Sequence, residues 1–198
     1  MNTHTDTVSP FFDPRVRAVF EQAFSEDVQR AWPDYTHFTP WLTLDNLHHP
    51  VRSGEAQHDI GVFHGVYLAA LFPSPEEVPT GPADPFNASV VYVGRTKSSS
   101  LMSRWHQFRS SSGGGNGHSG GNSFYDKYIR ANPDSRHHVL ARTRLAGLPV
   151  WLPDPTGNFD PRSTAFRTGL LEAVLIEAIH RDKRAKGDLG GDPLLNKE

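Results

Sequence analysis

With 198 residues, 36% of them hydrophobic, and a net charge of −2, the chain is long enough to bury a core but short for more than one domain with an appended segment. It contains no cysteine, which excludes disulfides and thiolate zinc sites and favours a reducing compartment. Met1 to Ser9 lack the basic start and apolar core of an export signal, and no run approaches the roughly 20 apolar residues of a membrane span. The expectation is therefore a cytoplasmic protein without a membrane partner.

Asp13-Pro14 supplies an N-cap and a first-turn proline, and Val16, Val19, Phe20, Ala23, Phe24 and Val28 recur at helical spacing until Trp32-Pro33. From Asp34 to Asp59 the pattern is irregular, so residues 1–60 read as an N-terminal helix with an irregular extension and 61–198 as the main domain. Gly65 to Phe72 and Ser89 to Arg95 read as two strands, paired antiparallel across a long loop broken by Pro73, Pro75, Pro79, Pro82 and Pro85. Leu101, Arg104, Trp105 and Phe108 fall on one helical stripe, which Ser98 or Ser99 would cap.

The stretch Ser110 to Gly121 is almost all serine and glycine and is expected to hold no fixed shape without a partner. It lacks the Lys-Ser/Thr ending of a nucleotide-cradling loop. A short helix is expected over Ser123 to Ala131, a partly alternating strand over His138 to Leu145, and a proline-punctuated connector over Gly147 to Arg162. The strongest helix runs from Ser163 to His180, with Leu170, Leu171, Val174, Leu175, Ala178 and Ile179 on one apolar face. The expected fold class is α+β: a small three-stranded antiparallel sheet flanked by helices, with an N-terminal helical extension.

Charge along the chain is polarised. Ala88 to Val150 holds nine Lys or Arg against two Asp, which leaves eleven basic and twenty acidic residues elsewhere. A basic segment of this kind is the footprint expected where a phosphate backbone docks. Within it and around it stand two tyrosines on adjacent strands, Tyr67 and Tyr92, an arginine on the following helix, Arg104, and a carboxylate on a later helix, Glu172. Those groups would supply proton transfer, phosphate stabilisation and a metal ligand for hydrolysing a phosphodiester. Glu172 lies close to the apolar stripe of its helix, whereas Glu177, about 140° away by helical rotation, is placed to pair with Arg181 one turn on. His48, His49, His58 and His64 lack the ligand spacing of a closed zinc site and read as scattered loop histidines.

In this order the motifs resemble the GIY-YIG nuclease superfamily. Gly65-Val66-Tyr67 stands for its first tripeptide, Tyr92-Val93-Gly94 for the second, Arg104 for the helix arginine and Glu172 for the metal-binding glutamate. Pro193-Leu194-Leu195-Asn196 is similar to its Pro-x-x-Asn ending. The resemblance implies a metal-dependent endonuclease acting on DNA, with the restriction-type branch as one candidate. Its catalytic set would be Tyr67, Tyr92, Arg104, Glu172 and Asn196, with magnesium or manganese on Glu172.

Substrate contacts would come from Arg95, Lys97, His106, Arg109, Lys127 and Arg130. Were the arginine helix to begin after the Gly-rich loop, Lys127 or Arg130 would be the phosphate-stabilising cation instead. Which tyrosine is the base stays open. Restriction of both strands would call for a homodimer. Many members carry a His or Tyr one turn after the arginine, where this chain has Phe108, and His106 points to another helix face. The alternative is therefore a catalytically impaired GIY-YIG-like nucleic-acid-binding module.

Overall fold

The structure, a computed structural model, describes residues 14–16, 18, 37–53, 56–151, 161–187 and 194–196. The expected N-terminal helix lies largely outside these residues. Where it is described it is helical at Pro14 to Val16, with Val16 buried in the core. The Arg15 guanidinium lies 3.6 Å from the Phe86 ring centroid and donates to Asp182 at 2.9 Å.

The protein is α+β. Its elements run β1 (Leu42–Thr43), β2 (Pro50–Ser53), β3 (Ala56–Asp59), β4 (His64–Leu71), β5 (Val90–Arg95), α1 (Leu101–Ser112), α2 (Ser119–Tyr128), α3 (Arg136–Arg142), β6 (Thr143–Trp151) and α4 (Pro161–Ala185). The main sheet has the order β1-β6-β4-β5, antiparallel throughout, and β2 and β3 form a separate hairpin. No helix among the described residues is long and apolar enough to cross a membrane.

β4 is apolar on both faces because it is covered on both. Val66, Leu68 and Ala70 pack with Leu171, Val174, Leu175 and Ala178 of α4, while Tyr67 and Ala69 pack with Trp105 and Phe108 of α1 and Phe124 of α2. Burying a side chain of this kind stabilises by roughly 1.5–3 kcal/mol. A bulge follows Ala69: its partner is Tyr92, but the next residue, Ala70, pairs with Val90. The extra residue lets Val90 face α4 while Val91 and Tyr92 both face α1 and α2.

Four expectations need correction. The sheet has four strands rather than three, β1 being drawn from the stretch read as irregular. His138 to Leu145 is not a strand: Arg136–Arg142 is a helix, entered through a 3-10 turn at Pro133–Ser135, and the strand begins at Thr143. Gly147 and Pro149 disguised that strand as connector. Both are accommodated because β1 pairs only with Arg144 and Leu145, so the flank of β6 beyond it lacks a full ladder partner. There Thr39 takes over, its N–H donating to Gly147 O at 2.9 Å and its hydroxyl accepting from Gly147 N–H at 3.0 Å.

The third correction concerns the Ser- and Gly-rich stretch. It has defined structure: Ser110–Ser112 close α1, Ser119–Gly121 open α2, and the turn between is fixed by bonds such as Gly115 N–H to Ser110 O at 2.9 Å. The cap of α1 is Ser100, accepting from Ser103 N–H, rather than Ser98 or Ser99.

Candidate active site

The first tyrosine motif sits in β4 and the second in β5, in register: Tyr67 pairs with Gly94. The Tyr67 ring crosses directly over that glycine, where a Cβ would lie 2.4 Å from its Cζ. Only glycine leaves the ring room to lean toward the sheet edge. The Tyr92 ring is accommodated in the same way against Gly120 at the start of α2, where a Cβ would lie 2.4 Å from the Tyr92 Cζ. The two phenol rings end with centroids 6.0 Å apart.

Glu172 belongs to α4, on the opposite face of the sheet from the two rings. It nevertheless reaches the same place because β5 is an edge strand. Tyr92, Ser119, Gly120, Ser123, Glu172, Leu195 and Asn196 line one cavity of about 220 Å³ at that edge. Glu172 acts electrostatically on both phenols, as does Arg104 from α1. Arg104 Nη1 donates to Gln107 Oε1 at 2.8 Å, and its Nε is buried without a hydrogen-bond partner among the described residues. A buried donor left unsatisfied costs about 1–3 kcal/mol, and here it lies on a cation that bears on every titrating group of the cavity.

His118 was not anticipated. It caps α2, its Nδ1 accepting from Gly121 N–H at 3.1 Å, and its Nε2 lies 2.6 Å from the Tyr67 hydroxyl. Because Nδ1 accepts, the neutral ring carries its proton on Nε2 and donates it to the Tyr67 oxygen. Tyr67 in turn donates to Tyr92: that bond raises the Tyr67 pKa and lowers that of Tyr92. Phe108 is fully buried between Tyr92, His118 and Phe124 at centroid distances of 6.2, 5.9 and 5.7 Å. The imidazole near the phenols thus comes from α2 rather than α1. The only hint in the sequence was a histidine three residues before Gly121, the spacing of a side-chain cap.

Burial is the leading cause of each shift. It holds Tyr67 well above 10, against the pull of Arg104. Burial and then Glu172 push Tyr92 up to about 12. Glu172 is raised by burial, with Arg95, Lys97 and Arg104 opposing. His118 is pulled down to about 4 by burial and, secondarily, by Arg104.

The His118 shift has a consequence for stability. Above pH 6.5 neither folded nor unfolded chain protonates this ring, whereas between 6.5 and about 4 the unfolded chain takes up a proton that the folded one does not. Stability is expected to fall across that window as pH drops, by on the order of 3 kcal/mol from this group. His118→Asn keeps an Ncap acceptor and removes the titration. Urea denaturation at pH 7, 5.5 and 4.5 should show a shallower acid loss in the variant, and parallel losses would refute the assignment.

The remaining site candidates divide. Arg95 donates from Nε to Glu172 Oε2 at 2.8 Å and from Nη1 to Ala165 O at 2.8 Å. Asn196 accepts from Val93 N–H at 3.0 Å and donates to Val93 O at 2.6 Å, so its amide ties residues 194–196 to β5. Lys97 and His106 are exposed. Arg109 pairs with Asp45 at 2.7 Å and Arg130 with Asp126 at 3.1 Å, while Lys127 lies 5.2 Å from the Tyr128 ring centroid. Arg104, then, is the cation coupled to the phenols, and Glu177 pairs with Arg181 at 2.7 Å.

A wider recess of about 490 Å³ lies by the β2–β3 hairpin among His48, His49, His58 and Asp59, with His48 Nδ1 2.9 Å from Asp59 Oδ2. Among the described residues its lining has no phenol or guanidinium.

No family model matches this chain, nor does any curated protein or solved structure.

Proposed function

We propose that the chain is a metal-dependent endonuclease of GIY-YIG type that hydrolyses DNA phosphodiester bonds. The observation that carries this reading is a cavity at the sheet edge lined by Tyr92 and Glu172, with Tyr67 hydrogen-bonded to Tyr92 and Arg104 acting electrostatically on both lining groups. In hydrolysis, water forms a new bond to phosphorus while the bond to the leaving sugar oxygen breaks, and the water proton needs an acceptor. Tyr92 is that acceptor: it lines the cavity, and the hydrogen bond from Tyr67 stabilises its phenolate over that of Tyr67. His118 orients Tyr67 and stays neutral at physiological pH. Arg104, half-buried and electrostatically coupled to Tyr92 and Glu172, supplies positive charge toward the phosphate oxygens.

Among the described residues, Glu172 is the single carboxylate lining the cavity, beside two serines. This donor set suits a hard divalent ion that keeps most of its waters, magnesium or manganese, rather than a closed cage. Such an ion supplies positive charge that draws the Tyr92 ionisation down and stabilises the leaving oxygen. Lys97 and His106 contribute exposed contacts to the DNA backbone. Arg109 and Arg130 can exchange their surface carboxylate partners for phosphates, since exposed ion pairs are worth only about 0–1 kcal/mol.

Supercoiled plasmid incubated with magnesium should be nicked or linearised by the wild type and left intact by Glu172→Ala. A second reading, a DNA-binding module without turnover, draws on Phe108 standing where the family carries a proton-transferring side chain. Intact plasmid together with binding that weakens linearly in log–log salt titration would favour it. No cleavage and no salt-dependent binding would sink both.

A further inference from the structure

Arg95 closes β5, yet its side chain does not extend into solvent. It folds back across α4, where its three contacts fall one turn apart: Nη1 on the Ala165 carbonyl, the fork over Gly169, and Nε on Glu172 Oε2. A Cβ at position 169 would stand 2.2 Å from Nη1 and 3.0 Å from Cζ, so the helix surface is hollowed to receive the guanidinium. A second clasp lies beside it, the Thr168 hydroxyl donating to Thr96 O at 2.8 Å in a buried position. The ion pair is itself partly shielded, with the Arg95 and Glu172 side chains 27% and 21% exposed. An arginine held at a backbone carbonyl, over a glycine and on one named oxygen is not placed as a mobile phosphate contact.

We propose that Arg95 is a positioning residue for the metal-binding carboxylate, and that by holding Oε2 it restricts Glu172 to ligation through one oxygen. The proposal rests on the nuclease reading, which places the metal at Glu172. Its consequence is ion selectivity. Magnesium keeps several waters and accepts one carboxylate oxygen, whereas calcium takes six to eight ligands and gains from a carboxylate that binds through both. The guanidinium blocks the second mode.

The test compares direct binding of magnesium and calcium ions to the purified full chain by calorimetry, without DNA or turnover. Removing the Arg95 charge changes the affinity for any cation, but the ratio between two ions of equal charge cancels that change. Arg95→Gln is expected to raise the calcium-to-magnesium affinity ratio about tenfold, because both carboxylate oxygens become available. Gly169→Ala keeps the charge, displaces the fork and favours the helix, so it should shift the ratio the same way even if Arg95→Gln folds poorly. An unchanged ratio in the folded variants overturns the proposal while leaving the nuclease reading intact, provided Glu172→Gln abolishes binding. If the wild type binds neither ion, or Glu172→Gln binds as well as the wild type, the metal assignment fails and the proposal with it.

Discussion

Tyr92→Phe should lower plasmid cleavage by about 10²–10⁴-fold, the usual contribution of a positioned proton acceptor, and should cost about 1–3 kcal/mol in stability, since the buried Tyr67 hydroxyl loses the acceptor for its proton. The Tyr92 side chain borders the cavity, and its ring packing against Gly120 and Phe108 survives the substitution. Tyr67→Phe is expected to cost comparable stability and far less rate. The Tyr67 side chain is fully buried, and losing its hydroxyl leaves His118 Nε2–H without its acceptor, a cost of about 1–3 kcal/mol in stability. The accompanying loss of rate should be nearer tenfold, the worth of one hydrogen bond to Tyr92. Single-turnover cleavage and urea melts on both variants separate the roles. A Tyr92→Phe enzyme that still cuts, beside a dead Tyr67→Phe enzyme, would reverse the assignment.

Gly94→Ala should damage the site almost as severely without touching an ionisable group. The added methyl would fall 2.4 Å from Tyr67 Cζ and 2.5 Å from its hydroxyl oxygen. The ring cannot retreat, being buried and tied to His118 at 2.6 Å. Overpacking of this kind costs about 1–3 kcal/mol, and a displacement near 1 Å at a reacting centre costs about 10²-fold in rate. The collision is with the Tyr67 ring, so the stability losses of Gly94→Ala and Tyr67→Leu should not add in the double variant. Additive losses in denaturant melts would show that the strand, rather than the ring, resists the methyl.

The parts most legible in the sequence were those whose packing follows their own periodicity. Val66 to Phe72 and Val90 to Arg95 are short and apolar, the second rich in valine, and they supply the paired strands that place Tyr67 and Tyr92. The stripe of Leu171, Val174, Leu175 and Ala178 defines α4 and thereby where Glu172 can stand. What was missed depended on distant partners. β1 is two residues long and is a strand only because β6 lies beside it. His138 to Leu145 was read for alternation, but the helix there is held from outside, Val139 being buried and Arg142 donating to Pro73 O at 2.8 Å.

The glycines between Ser112 and Phe124 looked like tether. Gly120 and Gly121 are instead where a Tyr92 ring and the Ser111 hydroxyl come too close for any side chain, a constraint invisible without the neighbours. His118 was hidden for the same reason, since its meaning lies in a phenol 51 positions earlier.

The open flank of β5 would ordinarily invite another strand, from a second copy or from an aggregating chain. Leu195 N–H instead donates to Val91 O at 2.7 Å, and the Asn196 amide satisfies both backbone groups of Val93. That border is already occupied by the protein's own tail. Cutting both DNA strands as a pair of subunits would therefore require association through some other surface, which leaves the mouth of the cavity open to the duplex.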